Sequence, residues 1–390
     1  MKNIGIIVKS LNDGGAERAA ANLSKDLSEK YNVYLILFDI TQIAYPYSGT
    51  IIDLKAPPTN SKIKKIYYTI KRILKVRKIK RKYNFKATIS FMLNANIINV
   101  LTKQKDKVIT SVRNTMSEQT KTKLEKKLII WTGKKADMTV SLSNGVRDDL
   151  IENFGYEPSK IVTIYNSCDK NFFTRENKEL DIKLKKIDYN NPVFVMTGRH
   201  TYQKGQWHAL RAISIVKNKY PYIKLLFFGE GELTKDLKVY CKKLKIDNNV
   251  EFMGYVKNYH NALNNATAFL FPSLFEGLGN VLLEALACGV PIISTNCPFG
   301  PKEILNPNGT ESNNNFTFGE YGILTPNFSK NEFNVNDTIL EKTDYVFANA
   351  MIELIENTNE KNKYERKSIE RAKDFLPEKI KYKWNKVIEQ

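Results

Sequence analysis

Twice along this chain a short apolar run stops at a glycine-bearing polar loop, the loop opens into a helix-patterned segment, and another apolar run follows. In the first half Asn3–Val8 leads through Asn12-Asp13-Gly14-Gly15 into residues 16–27 and on to 33–38. In the second half residues 193–196 lead through a polar loop at 198–205 into 206–217 and on to 223–228. Strands and helices that alternate in this way, with glycines at the strand ends, imply parallel sheets covered by helices. The chain is therefore expected to be α/β. Its 390 residues, 42% of them hydrophobic, exceed one ordinary domain and are too apolar for disorder. Two such domains are expected, the first over residues 1–170 and the second over 192–370. The polar, Lys-rich stretch 171–191, closed by Asn190-Asn191-Pro192, reads as the linker. The Asn-rich segment 306–315 reads as a surface loop.

Four Cys without a C-x-x-C spacing make neither a disulfide scaffold nor a zinc site, which points to a reducing cytoplasm. The N-terminal run to Val8 is shorter than the apolar core of a signal peptide, and no stretch approaches the roughly 20 apolar residues of a membrane span. Export and transmembrane anchoring are not expected. Lys and Arg number 61 against 41 Asp and Glu, a formal charge of +20 that suits a polyanionic partner. The excess is uneven: no acidic residue occurs between Leu54 and Lys105, while eleven cations crowd the segment from Lys62 to Lys82. Ile63, Ile66, Tyr67, Ile70, Ile73, Leu74 and Val76 recur there at helical spacing, so the segment reads as an amphipathic helix with an apolar stripe and cations on the remaining face. Such a helix suits an anionic membrane surface, or else packs its stripe on its own domain and leaves the lysine face solvated. A nucleic acid is the other polyanion considered, but no zinc spacing, helix-turn-helix or aromatic RNA-binding signature accompanies the lysines. His200, His208 and His260 share no metal-ligand spacing and read as ordinary surface or helix residues.

The most informative stretch is FLFPSLFEGLGNVLLEALACGVPIIST, residues 269–295. It reads as a buried strand, a flexible loop through Glu276-Gly277-Leu278-Gly279, a helix from Asn280 to Cys288 closed by Gly289, and a second strand. Loop glycines let backbone approach a ligand, and the helix start aims free N–H groups and its positive dipole end at whatever lies there, a suitable place for phosphate. Glu276 and Glu284 are then separate acceptors for hydroxyls.

In this context the chain resembles the retaining glycosyltransferases of family 4, enzymes of the GT-B fold, whose two Rossmann-like domains face each other across a cleft, and the resemblance implies that residues 371–390 form a C-terminal helix packing back on the N-terminal domain. The family signature is a Glu, seven residues, and a second Glu, as in Glu276 and Glu284. Gly14-Gly15-Ala16-Glu17-Arg18 is similar to the family's N-terminal donor loop, and Thr197-Gly198-Arg199 with Lys204-Gly205 to its Gly-Arg…Lys-Gly element. Phe228-Gly229-Glu230-Gly231 and 252–256, which ends on Tyr255-Val256, are similar to its nucleotide-facing strand ends, and 300–304 to its late acidic turn. The resemblance implies transfer of a hexose or N-acetylhexosamine from a nucleotide-sugar, UDP-linked, to a lipid-linked or surface-glycan acceptor. It implies Arg199 and Lys204 on the donor diphosphate, where they can stabilise the charge growing on the leaving phosphate without a metal. Glu276 is implied on the transferred sugar, Glu284 on the ribose, and Gly14, Gly15, Gly198, Gly229, Tyr255, Gly277, Leu278, Gly279, Asn280 and Val281 around the donor. No Asp-x-Asp occurs, so neither metal nor other cofactor is expected beside the UDP-sugar co-substrate.

Where many members of that family place a His near the sugar, this chain reads Ser111-Val112-Arg113-Asn114. Arg113 with Asn114 takes that role or a neighbouring one, binds the acceptor's phosphate, or pairs with Glu118. The implied partners are a polyprenyl-diphosphate-linked or other glycan acceptor and an anionic membrane surface, with the enzyme peripheral on the cytoplasmic face. The competing readings are another GT-B activity, such as a nucleotide-sugar epimerase or a phosphorylase, and a nucleic-acid-binding module.

Overall fold

The apolar runs form two seven-stranded sheets. The computed structural model describes residues 1–12, 14–173, 184–256, 258–310 and 312–390. Asp13 and Glu311, from loops named above, and 174–183, from the expected linker, lie outside the described residues. One unit comprises Met1–Ser167 with Pro377–Gln390, and the other Cys168–Leu376.

The first sheet takes β1 (Asn3–Val8), β2 (Asn32–Leu37), β3 (Thr50–Asp53), β4 (Ala87–Phe91), β5 (Lys107–Val112), β6 (Met138–Ser141) and β7 (Ile161–Thr163). Their order is β3-β2-β1-β4-β5-β6-β7, all parallel. The second takes β8 (Val193–Thr197), β9 (Lys224–Phe228), β10 (Val250–Gly254), β11 (Ala268–Phe271), β12 (Ile292–Thr295), β13 (Thr317–Phe318) and β14 (Ile323–Thr325). Its order is β10-β9-β8-β11-β12-β14-β13, with only β13 antiparallel. Both are doubly wound Rossmann-like sheets. The strand order reverses between β1 and β4 in one and between β8 and β11 in the other, and in such sheets ligands bind outside the carboxyl ends of the strands at that reversal. The helix Pro377–Glu389 packs Ile380, Trp384, Val387 and Ile388 into the core of the first sheet, while the helix Thr358–Ala372 buries Tyr364 and Ser368 within the second unit.

The basic segment is a single helix, Lys62–Tyr83, capped by Ser61 and ended by Asn84 in the left-handed region. Its faces differ from the expected ones. Ile73, Val76, Ile79 and Tyr83 pack toward the sheet, but Ile63, Ile66, Tyr67, Ile70 and Leu74 are exposed. Several cations turn inward instead. Arg72 donates from Nε (2.9 Å) and Nη2 (2.6 Å) to the Ala56 carbonyl, Lys75 reaches the Leu54 carbonyl at 2.8 Å and Lys71 the Lys55 carbonyl at 2.7 Å. The loop after β3 thus presents carbonyl oxygens that match long, flexible donors, and the apolar stems fill the space beneath. Lys62, Lys64, Lys65, Arg77, Lys78, Arg81 and Lys82 remain exposed.

Near its end the helix is fastened by Lys80, whose side chain is fully buried. Its ammonium donates to Asp106 Oδ2 at 2.8 Å, to Asn99 Oδ1 at 2.7 Å and to the Asn99 carbonyl at 3.0 Å. Burial raises the Asp106 pKa, but the Lys80 charge and the hydrogen bonds from Lys80, Thr88 and the Gln104 N–H outweigh it and hold the carboxyl below its ordinary value. Removing one partner of a buried pair strands a charge, which typically costs about 3–5 kcal/mol. Lys80→Met is accordingly expected to lower unfolding stability in urea by roughly that amount, and Lys80→Met combined with Asp106→Asn to recover part of it. Unchanged stability in Lys80→Met would remove this pair as the helix's anchor.

Candidate active site

The carboxyl ends of β8 and β11, on either side of the reversal in the second sheet, bring two of the expected residues, Lys204 and Glu276, into direct contact. Strand β8 ends at Thr197, and the loop Gly198-Arg199-His200 runs into a short turn, Tyr202–Lys204. Strand β11 leads through Pro272 and Ser273 to Glu276. Lys204 Nζ lies 2.6 Å from Glu276 Oε1, and the Ser273 hydroxyl donates to the same oxygen at 2.9 Å. Glu276 is only 8% exposed, and the Lys204 ammonium also stands 5.4 Å from the centre of the Phe271 ring. This is a charged pair largely removed from water, where its field is weakly screened.

Hydrogen bonds to main-chain carbonyls fix the two loops against each other. Leu274 N–H donates to the Gln203 carbonyl at 2.9 Å, and Gln203 Nε2 to the Phe275 carbonyl at 2.9 Å. Gly205 has φ 60°, and a Cβ there would stand 2.3 Å from the Pro272 carbonyl oxygen, so only glycine lets Lys204 sit this close to the β11 end. The neighbouring strand ends are knitted likewise. Gly198 N–H donates to the Phe228 carbonyl at 3.0 Å, Gly229 N–H to the Gly254 carbonyl at 2.8 Å, and a Cβ on Gly229, at φ 110°, would lie 2.3 Å from the Gly198 oxygen.

After Glu276, Gly279 in the left-handed region turns the chain into the helix Asn280–Ala287, with Leu278 buried beneath the loop. Glu284 is 4% exposed in this helix, and its Oε2 accepts the Tyr259 hydroxyl. Arg199 projects into solvent, and no ion pair is recorded for it among the described residues; its carbonyl accepts from Gln206 Nε2 at 2.8 Å. Tyr255 is 89% exposed. His200 and His208 are buried rather than at the surface. His200 Nδ1 is 2.8 Å from the Thr234 hydroxyl, which accepts from Gly231 N–H, and His208 Nδ1 is 2.9 Å from Asp344 Oδ1 with its ring stacked on Phe328. Burial lowers the pKa of both imidazoles. Cys297 lies beside the pair, its thiol pushed far up by burial and by the Glu276 charge. Among the described residues no group of three or more His, Cys, Asp or Glu could hold a metal ion.

The remaining expected residues stand on the first unit. Gly14 N–H donates to the Tyr45 hydroxyl at 3.2 Å, just before the helix Gly15–Ser28. Arg113 follows β5 and is buried. Its Nη2 donates to Asn166 Oδ1, its guanidinium lies 5.7 Å from the centre of the Phe91 ring, and its Nε has no partner. Burial alone pulls its pKa down to about 9. Asn114 Nδ2 donates to Gln119 Oε1 at 3.3 Å. Ser273, Gln203, Tyr259 and Asn166 were not singled out in the sequence. Only Ser273 carried a local signal, three residues ahead of Glu276 at the end of an apolar strand.

Residues 13–172 match the family model for Glycosyltransferase Family 4, and 177–318 that for Glycosyl transferases group 1. An uncharacterized glycosyltransferase of Methanocaldococcus jannaschii is 35% identical over 340 residues, covering 82% of this chain and 83% of that protein. The chain belongs to this glycosyltransferase family. A second relative, from Campylobacter jejuni, is the N-acetylgalactosamine-N,N'-diacetylbacillosaminyl-diphospho-undecaprenol 4-alpha-N-acetylgalactosaminyltransferase, 30% identical over 78% of this chain and 83% of its own length. The crystal structure of Anabaena HepE in complex with UDP superposes with a TM-score of 0.79 over the full length of both chains at 16% identity, and that of the lipopolysaccharide glycosyltransferase WaaG with 0.71 over 99% of each at 13%. The fold is GT-B, and the enzyme is a retaining glycosyltransferase.

For such an enzyme the Lys204–Glu276 pair makes a specific demand. Residues that act as one unit lose their joint contribution when either is removed. Lys204→Ala and Glu276→Ala are each expected to lower kcat by about 10²-fold or more, with the double variant close to the worse single one. Initial rates of sugar transfer test this; multiplicative losses would mean that the two side chains act independently.

Proposed function

We propose that this glycosyltransferase moves a hexose or N-acetylhexosamine from a UDP-sugar to a polyprenyl-diphosphate-linked glycan at an anionic membrane surface. The observation that carries the reading is the desolvated Lys204–Glu276 pair beside a glycine-bearing helix start, at the strand-order reversal of the second sheet. The Lys204 ammonium has three N–H donors, one of them directed at Glu276, and Arg199 adds an exposed cation from the same loop. Together with the N–H groups at Leu278, Gly279, Asn280 and Val281, they stabilise the negative charge that develops on the departing phosphate. Glu276 holds hydroxyls of the transferred sugar, Glu284 holds the ribose, and Gly198, Gly229, Gly277 and Tyr255 complete the donor contacts. Gly14 and Gly15 open the first unit's leading helix, where backbone N–H groups also suit a phosphate. This set of cations and N–H groups requires no metal, so transfer is expected to survive excess chelator. The UDP in the HepE crystal structure supports the nucleotide assignment.

The acceptor assignment is supported by the Campylobacter relative, named for an undecaprenol-linked substrate, and by the helix Lys62–Tyr83. Ile63, Ile66, Tyr67, Ile70 and Leu74 form an exposed ridge that Arg77, Lys78 and Arg81 continue along the same side. Apolar residues entering the headgroup region and cations that each add about 1 kcal/mol near an anionic leaflet supply both terms of interfacial binding. No helix among the described residues is long and apolar enough to cross a membrane. Buried Arg113, with its unsatisfied Nε, is the first unit's candidate for an acceptor phosphate or sugar, with Asn114 beside it.

A panel of nucleotide-sugars checks the donor. UDP-sugars are expected to raise Tm where GDP-, ADP- and dTDP-sugars leave it unchanged, and preference for a non-uridine donor would overturn the assignment. Co-sedimentation with vesicles of increasing anionic lipid checks the surface. Ile66→Asn with Leu74→Asn, and separately Arg77, Lys78, Arg81 and Lys82 changed to Gln, are each expected to lower binding at least several-fold at physiological salt. Equal binding by all three proteins would exclude this helix as the membrane contact.

A further inference from the structure

We propose that Tyr259 is a positioning residue for the donor's ribose, its hydroxyl holding the Glu284 carboxylate in the orientation that receives the ribose diol. The inference rests on the assignment of Glu284 to the ribose. Tyr259 lies 25 residues before Glu284, in the segment between β10 and the helix His260–Leu263. Its hydroxyl donates to Glu284 Oε2, and its ring packs on both Phe172 and Phe228, each ring centroid 5.8 Å away. Phe172 in turn meets the His260 ring edge-on at 5.9 Å. Phe228 is the last residue of β9 and directly precedes Gly229, the glycine whose N–H is tied to the end of β10. The phenol is therefore held by packing, and it ties the orientation of Glu284 to the strand ends that carry the glycine loop.

A glutamate on a helix can turn its carboxylate plane and change rotamer, and each such freedom must be lost when it chelates two hydroxyls. A hydrogen bond from a packed phenol to one carboxylate oxygen removes that freedom beforehand. The gain falls on binding of the nucleotide and not on departure of the sugar, so it belongs in the donor KM and not in kcat. It also requires that the ligand bear ribose hydroxyls, which a purely structural role for the ring does not.

The test is calorimetric binding of UDP and of 2′,3′-dideoxyuridine diphosphate to the wild type, Tyr259→Phe and Glu284→Gln, with kcat measured at saturating donor. Tyr259→Phe keeps the ring and its packing and removes only the hydroxyl. It is expected to weaken UDP about tenfold, to leave the dideoxy compound within about twofold of its wild-type affinity, and to leave kcat nearly unchanged, as loss of a hydrogen bond to a charged group predicts. Equal weakening of both ligands, or of neither, would overturn the proposal while leaving Glu284 on the ribose. If Glu284→Gln keeps the full wild-type preference for UDP over the dideoxy compound, the ribose assignment itself fails, and the role of Tyr259 with it.

Discussion

The contact between Lys204 and Glu276 depends on more of the surrounding architecture than any other in the site. The two residues lie 72 apart in sequence and come within 2.6 Å because β8 and β11 are neighbours at the one place in the second sheet where the strand order turns back. Parallel strands that part at such a point leave a crevice that no crossover helix fills. Everything nearby serves to keep the loops in register. Gln203 bonds across to the Leu274–Phe275 backbone, Ser273 orients the carboxylate, and the Thr295 hydroxyl donates to the Ser273 carbonyl at 2.6 Å from the end of the adjacent strand β12. A lysine and a glutamate taken out of water are costly to hold unless paired, and here each is the other's partner.

The basic helix follows a different logic from the one its sequence pattern conveys. Hydropathy counts Lys and Arg as polar wherever they stand, so residues 62–82 read as one apolar stripe with a cationic remainder. In the fold the stems of Lys71, Arg72, Lys75 and Lys80 supply apolar packing, and their tips find the carbonyls of residues 54–56 or the Asp106–Asn99 pocket. That frees Ile63, Ile66, Tyr67, Ile70 and Leu74 from the core and places them outside. The arrangement leaves an apolar ridge in water, which monomeric surfaces rarely carry as a contiguous patch without a partner.

Much of the fold was legible because its signals are local. Apolar runs, glycine loops and helical segments follow one another in a regular order, and Glu276, Gly277, Gly279 and Gly289 mark the loop and helix ends within a residue, the helix running Asn280–Ala287 against an expected 280–288. What escaped was of two kinds. Contacts such as Tyr259 with Glu284 or Arg113 with Asn166 join residues 25 and 53 apart, and no periodicity announces them. Burial of polar side chains escaped as well. His208 looks like any helix residue until Asp344, from the helix Lys342–Glu356, supplies its partner and Phe328 its stacking surface.

The central claim is that the crevice at the β8–β11 reversal binds the donor through its diphosphate. Calorimetric comparison of UDP with uridine, in the wild type and in Lys204→Ala with Arg199→Ala, tests it most directly. The account predicts that the wild type binds UDP far more tightly than uridine and that the double variant loses most of this difference while binding uridine nearly as before. A double variant that kept the wild-type preference for UDP would contradict it.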